Sequence, residues 1–281
     1  MPGWSAGREA WLAEVLTRRI KLTIAYDGTE YHGWQVQPGL LTIQSLLEAA
    51  FLDIEKRPVH VAGSGRTDAG VHALAQVAAV SIENPIPCRN LKKALNRLLP
   101  LDLRINAVEE VDPRFHPRFD AISKTYEYRL FRGEVCPPFE RRYLHHHPYP
   151  MSDEQFIAAA PLLEGEYDFS CFAASDDRDA EGKSKVRRIY SSRAWRTGDL
   201  LIYSVTGSGF LKHMVRNIVG TLLEAGKGNV TPDSLRYFLT APPKIKAGPT
   251  APACGLFLIE VHYGNNDPAA SSRLETSRGD A

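Results

Sequence analysis

Apolar and polar side chains alternate through Ile20-Lys21-Leu22-Thr23-Ile24-Ala25-Tyr26, which predicts a strand closed by the turn Asp27-Gly28. The period then changes. Thr42 is placed to cap a helix that carries Leu46, Leu47, Ala50, Phe51 and Ile54. Val59–Ala62 begins the next strand and Leu74–Ile82 reads as another. Leu91, Ala94, Leu95 and Leu98 trace a second helix closed by Pro100, and Leu103–Val111 is a final strand. The order is β-α-β-β-α-β.

The following passage repeats that order. Ser123–Phe131 alternates as a strand, and Ser152 opens a helix through Phe156, Ile157, Ala160 and Leu163, with Gln155 placed for a capping box. Arg187–Trp195 and Leu200–Thr206 form a hairpin pattern around Thr197-Gly198-Asp199. A helix from Phe210 to Ala225, a shorter one opened by Thr231-Pro232, and the strand Leu256–Tyr263 complete it. Gly-Ser-Gly follows a strand in both passages, at 63–65 and 207–209. The expected fold is α+β: two ferredoxin-like halves joined into one mixed, mostly antiparallel sheet, helices on one side, an active-site cleft at the seam. The expected divisions are an N-terminal extension (1–19), an N-terminal half (20–112), a C-terminal half (113–263) and a disordered tail (264–281). The tail is rich in Asn, Ser, Asp and Gly and nearly devoid of apolar residues. A charge-dense polar loop spans Asp176–Ser184.

Composition narrows the class without choosing a function. The 281 residues are 43% hydrophobic and 24% charged, ordinary for a globular protein, and no run is long enough to span a membrane. The N-terminus lacks the apolar centre of a secretory signal, so a cytoplasmic location is expected. Cys88, Cys136, Cys171 and Cys254 are scattered with no CxxC pair, which argues against a zinc ribbon and suits a reducing compartment. A net charge of +1 does not advertise nucleic-acid binding, yet a local basic cleft would suffice for it.

The chemistry concentrates in Gly63-Ser64-Gly65-Arg66-Thr67-Asp68-Ala69-Gly70-Val71-His72-Ala73. Three glycines let the backbone approach a ligand closely. An Arg66–Asp68 pair would hold the carboxylate charged and aimed, as a nucleophile requires. A tight turn whose Asp68 caps the next element fits the same residues, and loop chemistry alone does not rank the two. The segment lacks the Gly-Lys-Ser/Thr ending of a P-loop. His145-His146-His147 cannot all face one metal ion and read as a surface loop, and Asp27-Gly28 with Glu30 reads as a turn.

Several motifs together resemble the TruA family of tRNA pseudouridine synthases. They are Gly65–Ala73, Tyr26-Asp27-Gly28-Thr29-Glu30-Tyr31-His32-Gly33-Trp34-Gln35, Phe115-His116-Pro117-Arg118-Phe119-Asp120-Ala121, Lys124-Thr125-Tyr126-Glu127-Tyr128 and Phe210–Gly220. The resemblance spans roughly residues 20 to 263 in order. Pro117 stands where members more often carry alanine.

The resemblance implies isomerisation of uridine to pseudouridine at positions 38, 39 and 40 of the tRNA anticodon stem-loop. It implies a homodimer with tRNA as partner, and neither a metal nor an organic cofactor. It makes Asp68 the catalytic carboxylate and Tyr126 the active-site tyrosine, with Arg66, Arg216 and Leu256 as further substrate-binding residues. Each has a plainer reading: Tyr126 as a core residue sharing a face with Tyr128, Arg216 as a solvated helix cation, Leu256 as a core leucine. Arg216, on an apolar helix, calls for a carboxylate partner, and Asp68 is the candidate. Arg114/Arg118, Arg141/Arg142 and Lys183–Arg188, interleaved with Phe115, Phe119 and Tyr143, are candidate phosphate contacts. A non-catalytic RNA-binding module on the same platform is the alternative reading.

Overall fold

The computed structural model of the chain describes residues 17–175, 184–240 and 245–264. Nearly all of the N-terminal extension, the polar loop from 176 to 183 and the tail from 265 lie outside them.

Strand β1 (Arg18–Tyr26) shows why its alternation matters: Ile20, Leu22 and Ile24 are fully buried while the residues between them are not. Helix α1 (Ile43–Glu55) starts where Thr42 accepts the Ser45 N–H and the Ser45 hydroxyl accepts the Thr42 N–H in return. Then follow β2 (Ala62–Gly63), β3 (His72–Ile82), α2 (Cys88–Leu98), β4 (Leu103–Val111), β5 (Ala121–Phe131) and β6 (His145–His146). The remainder is α3 (Asp153–Ala159), β7 (Gly165–Asp168), β8 (Val186–Thr197), β9 (Leu200–Gly207), α4 (Met214–Gly226), α5 (Pro232–Thr240) and β10 (Leu256–Tyr263).

The described residues thus form an α+β protein with five α-helices and one ten-stranded mixed sheet. Its order is β4-β1-β3-β10-β5-β9-β8-β7, with β2 on β3 and β6 on β5. Every pairing is antiparallel except β3–β10 and β5–β6. The β3–β10 ladder pairs Phe257 with His72 and Leu258 with Ala73, and links the two passages of the chain. Leu47, Phe51, Leu91 and Leu95 from α1 and α2 join the β1 side chains in the core. Phe156, Ile218 and Leu222 do the same beside Tyr128, Tyr203 and Leu201. Each such side chain contributes about 1.5–3 kcal/mol on burial. Among the described residues no helix is long and apolar enough to cross a membrane, and none of the four cysteines forms a disulfide.

Some expected elements are corrected. The strand expected over Val59–Ala62 is only Ala62–Gly63, because the sheet edge beside β3 is open to it for two register positions. The helix expected from Phe210 begins at Met214, since His213 sits in the left-handed region (φ 61°). The helix from Ser152 holds its α form only to Ala159 and then tightens into a 3-10 turn, Ala160–Leu163, at Pro161. Ser152 accepts the Gln155 N–H, but the Gln155 side chain does not complete the box. The Ser152 hydroxyl donates instead to Glu154.

Candidate active site

The loop between β2 and β3 is fixed from several sides, so its side chains are placed rather than tethered. The Ser64 N–H donates to the Val77 carbonyl at 2.7 Å, and the Trp34 N–H to the Thr67 carbonyl at 3.1 Å. Buried Tyr26 and Thr67 share a 2.8 Å hydroxyl–hydroxyl bond. Gln76 donates to the Gly65 carbonyl and accepts from the Ser64 hydroxyl. Two glycines are required here. A Cβ on Gly63 would lie 2.5 Å from the Trp34 ring, and Gly70 takes φ +77° where the chain turns into β3.

This frame presents Asp68 to a cleft of about 820 Å³, a volume suited to a nucleotide-sized group. Its Oδ2 accepts from Arg216 Nη1 at 2.9 Å and lies 3.5 Å from His213 Nε2. Arg216 is held in turn, its Nε donating to the Ala251 carbonyl at 2.8 Å. The pair is partly shielded, the two side chains being 16% and 26% exposed, which strengthens the attraction over that of a surface pair. Burial lowers the pKa of His213 despite Asp68, favouring neutral imidazole.

Arg216 is therefore the guanidinium partner of Asp68, as the helix pattern predicted, and Arg66 is not. Among the described residues Arg66 makes no hydrogen bond or ion pair. It stands exposed on the cleft wall. Sequence proximity misled here, because the loop turns the two side chains apart while α4 brings its first turn in from 148 residues away.

Tyr126 comes from β5 and is 8% exposed, its ring edge-to-face with Phe210 at 5.1 Å. Burial, with Tyr26 and Asp68 nearby, pushes its phenol pKa well above the usual value, so the group is neutral near pH 7. Its hydroxyl makes no hydrogen bond among the described residues and is open to the cleft. Leu256, the first residue of β10, also lines the cleft and is 5% exposed. All five residues singled out from the sequence converge on one cavity.

Lys124 and His213 lie within the family motifs, yet neither is among the site residues expected from the sequence. Lys124 Nζ donates to the Ser64 carbonyl at 2.6 Å, bracing the Asp68 loop from β5. Burial, helped by the nearby Arg118 charge, brings its pKa down to about 8. The available signal was period two: Lys124 and Tyr126 stand on the same side of one strand.

The three histidines do not form a surface loop. His145 pairs within the sheet and His147 is 6% exposed. Burial lowers the pKa of His145 to about 4. Asp27 does serve a turn, accepting from Thr29 N–H and hydroxyl, and also from the Tyr143 hydroxyl.

A family model described as tRNA pseudouridine synthase matches residues 22–120 and 159–264. A tRNA pseudouridine synthase A of Solibacter usitatus is 62% identical over 246 residues, covering 88% of this chain and all of that protein. Proteins of the same description from Pelobacter propionicus and Limosilactobacillus fermentum are 42% and 44% identical. They cover 88% and 90% of this chain and 100% and 98% of their own lengths. With Asp68, Tyr126 and Arg216 in one cleft, and matches of this extent, the chain belongs to the TruA family of tRNA pseudouridine synthases and is an isomerase.

Proposed function

We propose that this enzyme converts uridine to pseudouridine at positions 38, 39 and 40 of the tRNA anticodon stem-loop. The observation that carries the reading is the Asp68 carboxylate, held 2.9 Å from Arg216 inside a cleft shared with Tyr126. The strand order supports two ferredoxin-like halves, helices on one side: β4-β1-β3 with β2, then β10-β5-β9-β8. The half from 20 to 112 brings the Asp68 loop, the half from 113 to 263 brings its partners, and the cleft lies at their seam. By family resemblance the enzyme acts in the cytoplasm as a homodimer across which one tRNA reaches.

The target base is stacked and must leave the helix, at a cost of a few kcal/mol. Arg66, exposed and unpaired among the described residues, is suited to occupy the vacated space or to grip a phosphate with its planar fork. The extruded uracil lies between the Tyr126 ring and Leu256. Asp68 then either attacks C1′ as the N1–C1′ bond breaks, by the logic of a retaining glycosidase, or assists elimination across C1′–C2′ to a glycal. The freed uracil rotates, a C5–C1′ bond forms, the C5 hydrogen departs as a proton and N1 is left protonated. Arg216 keeps the carboxylate oriented throughout.

Release of tritium from uridine labelled at C5 reads the reaction directly. Asp68→Asn is expected to bind tRNA with near wild-type affinity and to release none. Near-normal turnover by that variant would remove Asp68 from the role.

A further inference from the structure

One wall of the cleft differs from the rest. Trp34 and Tyr126 are 2% and 8% exposed, whereas Phe119, on the turn between β4 and β5, is 75% exposed. The ring is not loose. The His116 ring lies 4.3 Å from it, centroid to centroid and tilted by 34°, and the Arg118 guanidinium stands 5.7 Å from its centroid.

The turn that carries it is bonded throughout. The Phe115 N–H donates to the Asp112 carbonyl at 2.9 Å, and the Asp120 N–H to the His116 carbonyl at 3.1 Å. Asp120 accepts the His116 N–H at 2.8 Å, and His116 Nδ1 accepts the Arg118 N–H at 3.2 Å. The sheet secures it from outside. Tyr263 donates to the Pro117 carbonyl at 2.6 Å and Arg19 to the Phe115 carbonyl at 3.0 Å. A phenyl ring held in water by a rigid turn forgoes the gain of burial. It is pre-organised for a planar apolar group, with the Arg118 guanidinium beside it near any phosphate.

We propose that Phe119, backed by His116 and Arg118, is a stacking subsite for the base adjoining the flipped uridine. This rests on the proposed tRNA reaction and adds to it a contact outside the uracil pocket. Stacking on an aromatic face accepts any of the four bases, so the subsite would hold the strand beside its target without reading sequence. That tolerance suits an enzyme acting on neighbouring positions with different flanking bases.

The test uses the full-length protein and an anticodon stem-loop carrying 2-aminopurine on one or the other side of the target uridine. Wild type is expected to quench the fluorophore on one side, and Phe119→Leu to abolish that quenching and weaken binding about 5- to 150-fold, the range for one base on one aromatic ring. Phe119→Trp should restore both. Because the ring is exposed, Phe119→Leu should melt like wild type. Quenching and affinity unchanged in Phe119→Leu would overturn the subsite. Wild type releasing no tritium from C5-labelled tRNA would instead overturn the proposed reaction, leaving the quenching result to judge the subsite alone.

Discussion

Replacing Arg216 by glutamine removes the guanidinium beside Asp68 while keeping a polar side chain on α4. At 2.9 Å and an effective dielectric of about 20, the bare attraction between the charges is about 6 kcal/mol. Desolvation and partial exposure offset most of it, and a hydrogen bond to a charged group is worth about 1.5–3 kcal/mol net. If that energy serves to aim Asp68 at C1′, the chemical step should slow about 10- to 150-fold. Losing the Nε bond to the Ala251 carbonyl should cost about another 1 kcal/mol of stability, lowering Tm by about 2–4 °C. Single-turnover tritium release with saturating enzyme reads the step, filter binding reads tRNA affinity, and a melt confirms folding. The expected pattern is a slow step with nearly normal affinity. A wild-type rate in a folded Arg216→Gln protein would refute the argument, and so would a loss confined to binding.

Tyr126→Leu should abolish turnover by removing ring and hydroxyl together. Tyr126→Phe should bind tRNA normally and slow about 10²–10⁴-fold if the neutral hydroxyl relays the C5 proton, releasing its own to solvent as it takes that one up, and an unchanged rate would leave the ring with stacking alone. For Lys124 the folded pKa of about 8 lies below the ordinary lysine value of 10.5. The unfolded chain therefore holds that proton more tightly between those values, and stability should rise with pH across the window as the cost of burying the charge is relieved. Activity should run the other way. The alkaline limb of the pH–rate profile should begin near pH 8 as the Ser64 carbonyl loses its charged donor, and Lys124→Arg should move it upward.

The strands and helices were legible where one face meets a core and the other does not, as in β1, α1 and the hairpin of β8 and β9. Where backbone detail decides, they were not. Nothing local to Phe210–His213 announces that His213 will adopt a positive φ and delay α4. Nothing in Val59–Val61 says that the sheet has room beside it for only the next two residues. The five site residues were found by resemblance, and Asp68 was named as the candidate partner of Arg216, but the loop alone offered Arg66 as a rival partner. The Arg66–Asp68 neighbourhood in sequence is plain to see, whereas the Arg216–Asp68 bond depends on how α4 lies against the β2–β3 loop. Lys124 escaped for a related reason, because an alternating strand does not tell which polar side chain will be covered by a distant loop.

The bond between Asp68 and Arg216 joins residues 148 positions apart, across a sheet whose two passages, among the described residues, share only the short ladder of Phe257 with His72 and Leu258 with Ala73. Contacts of such long separation form late, because the chain must first close the intervening loop. A nascent or truncated chain holding the glycine-rich loop without α4 would expose a carboxylate with no guanidinium to aim it. On the role proposed for Asp68, competence to break a glycosidic bond thus arrives only with completion of the fold.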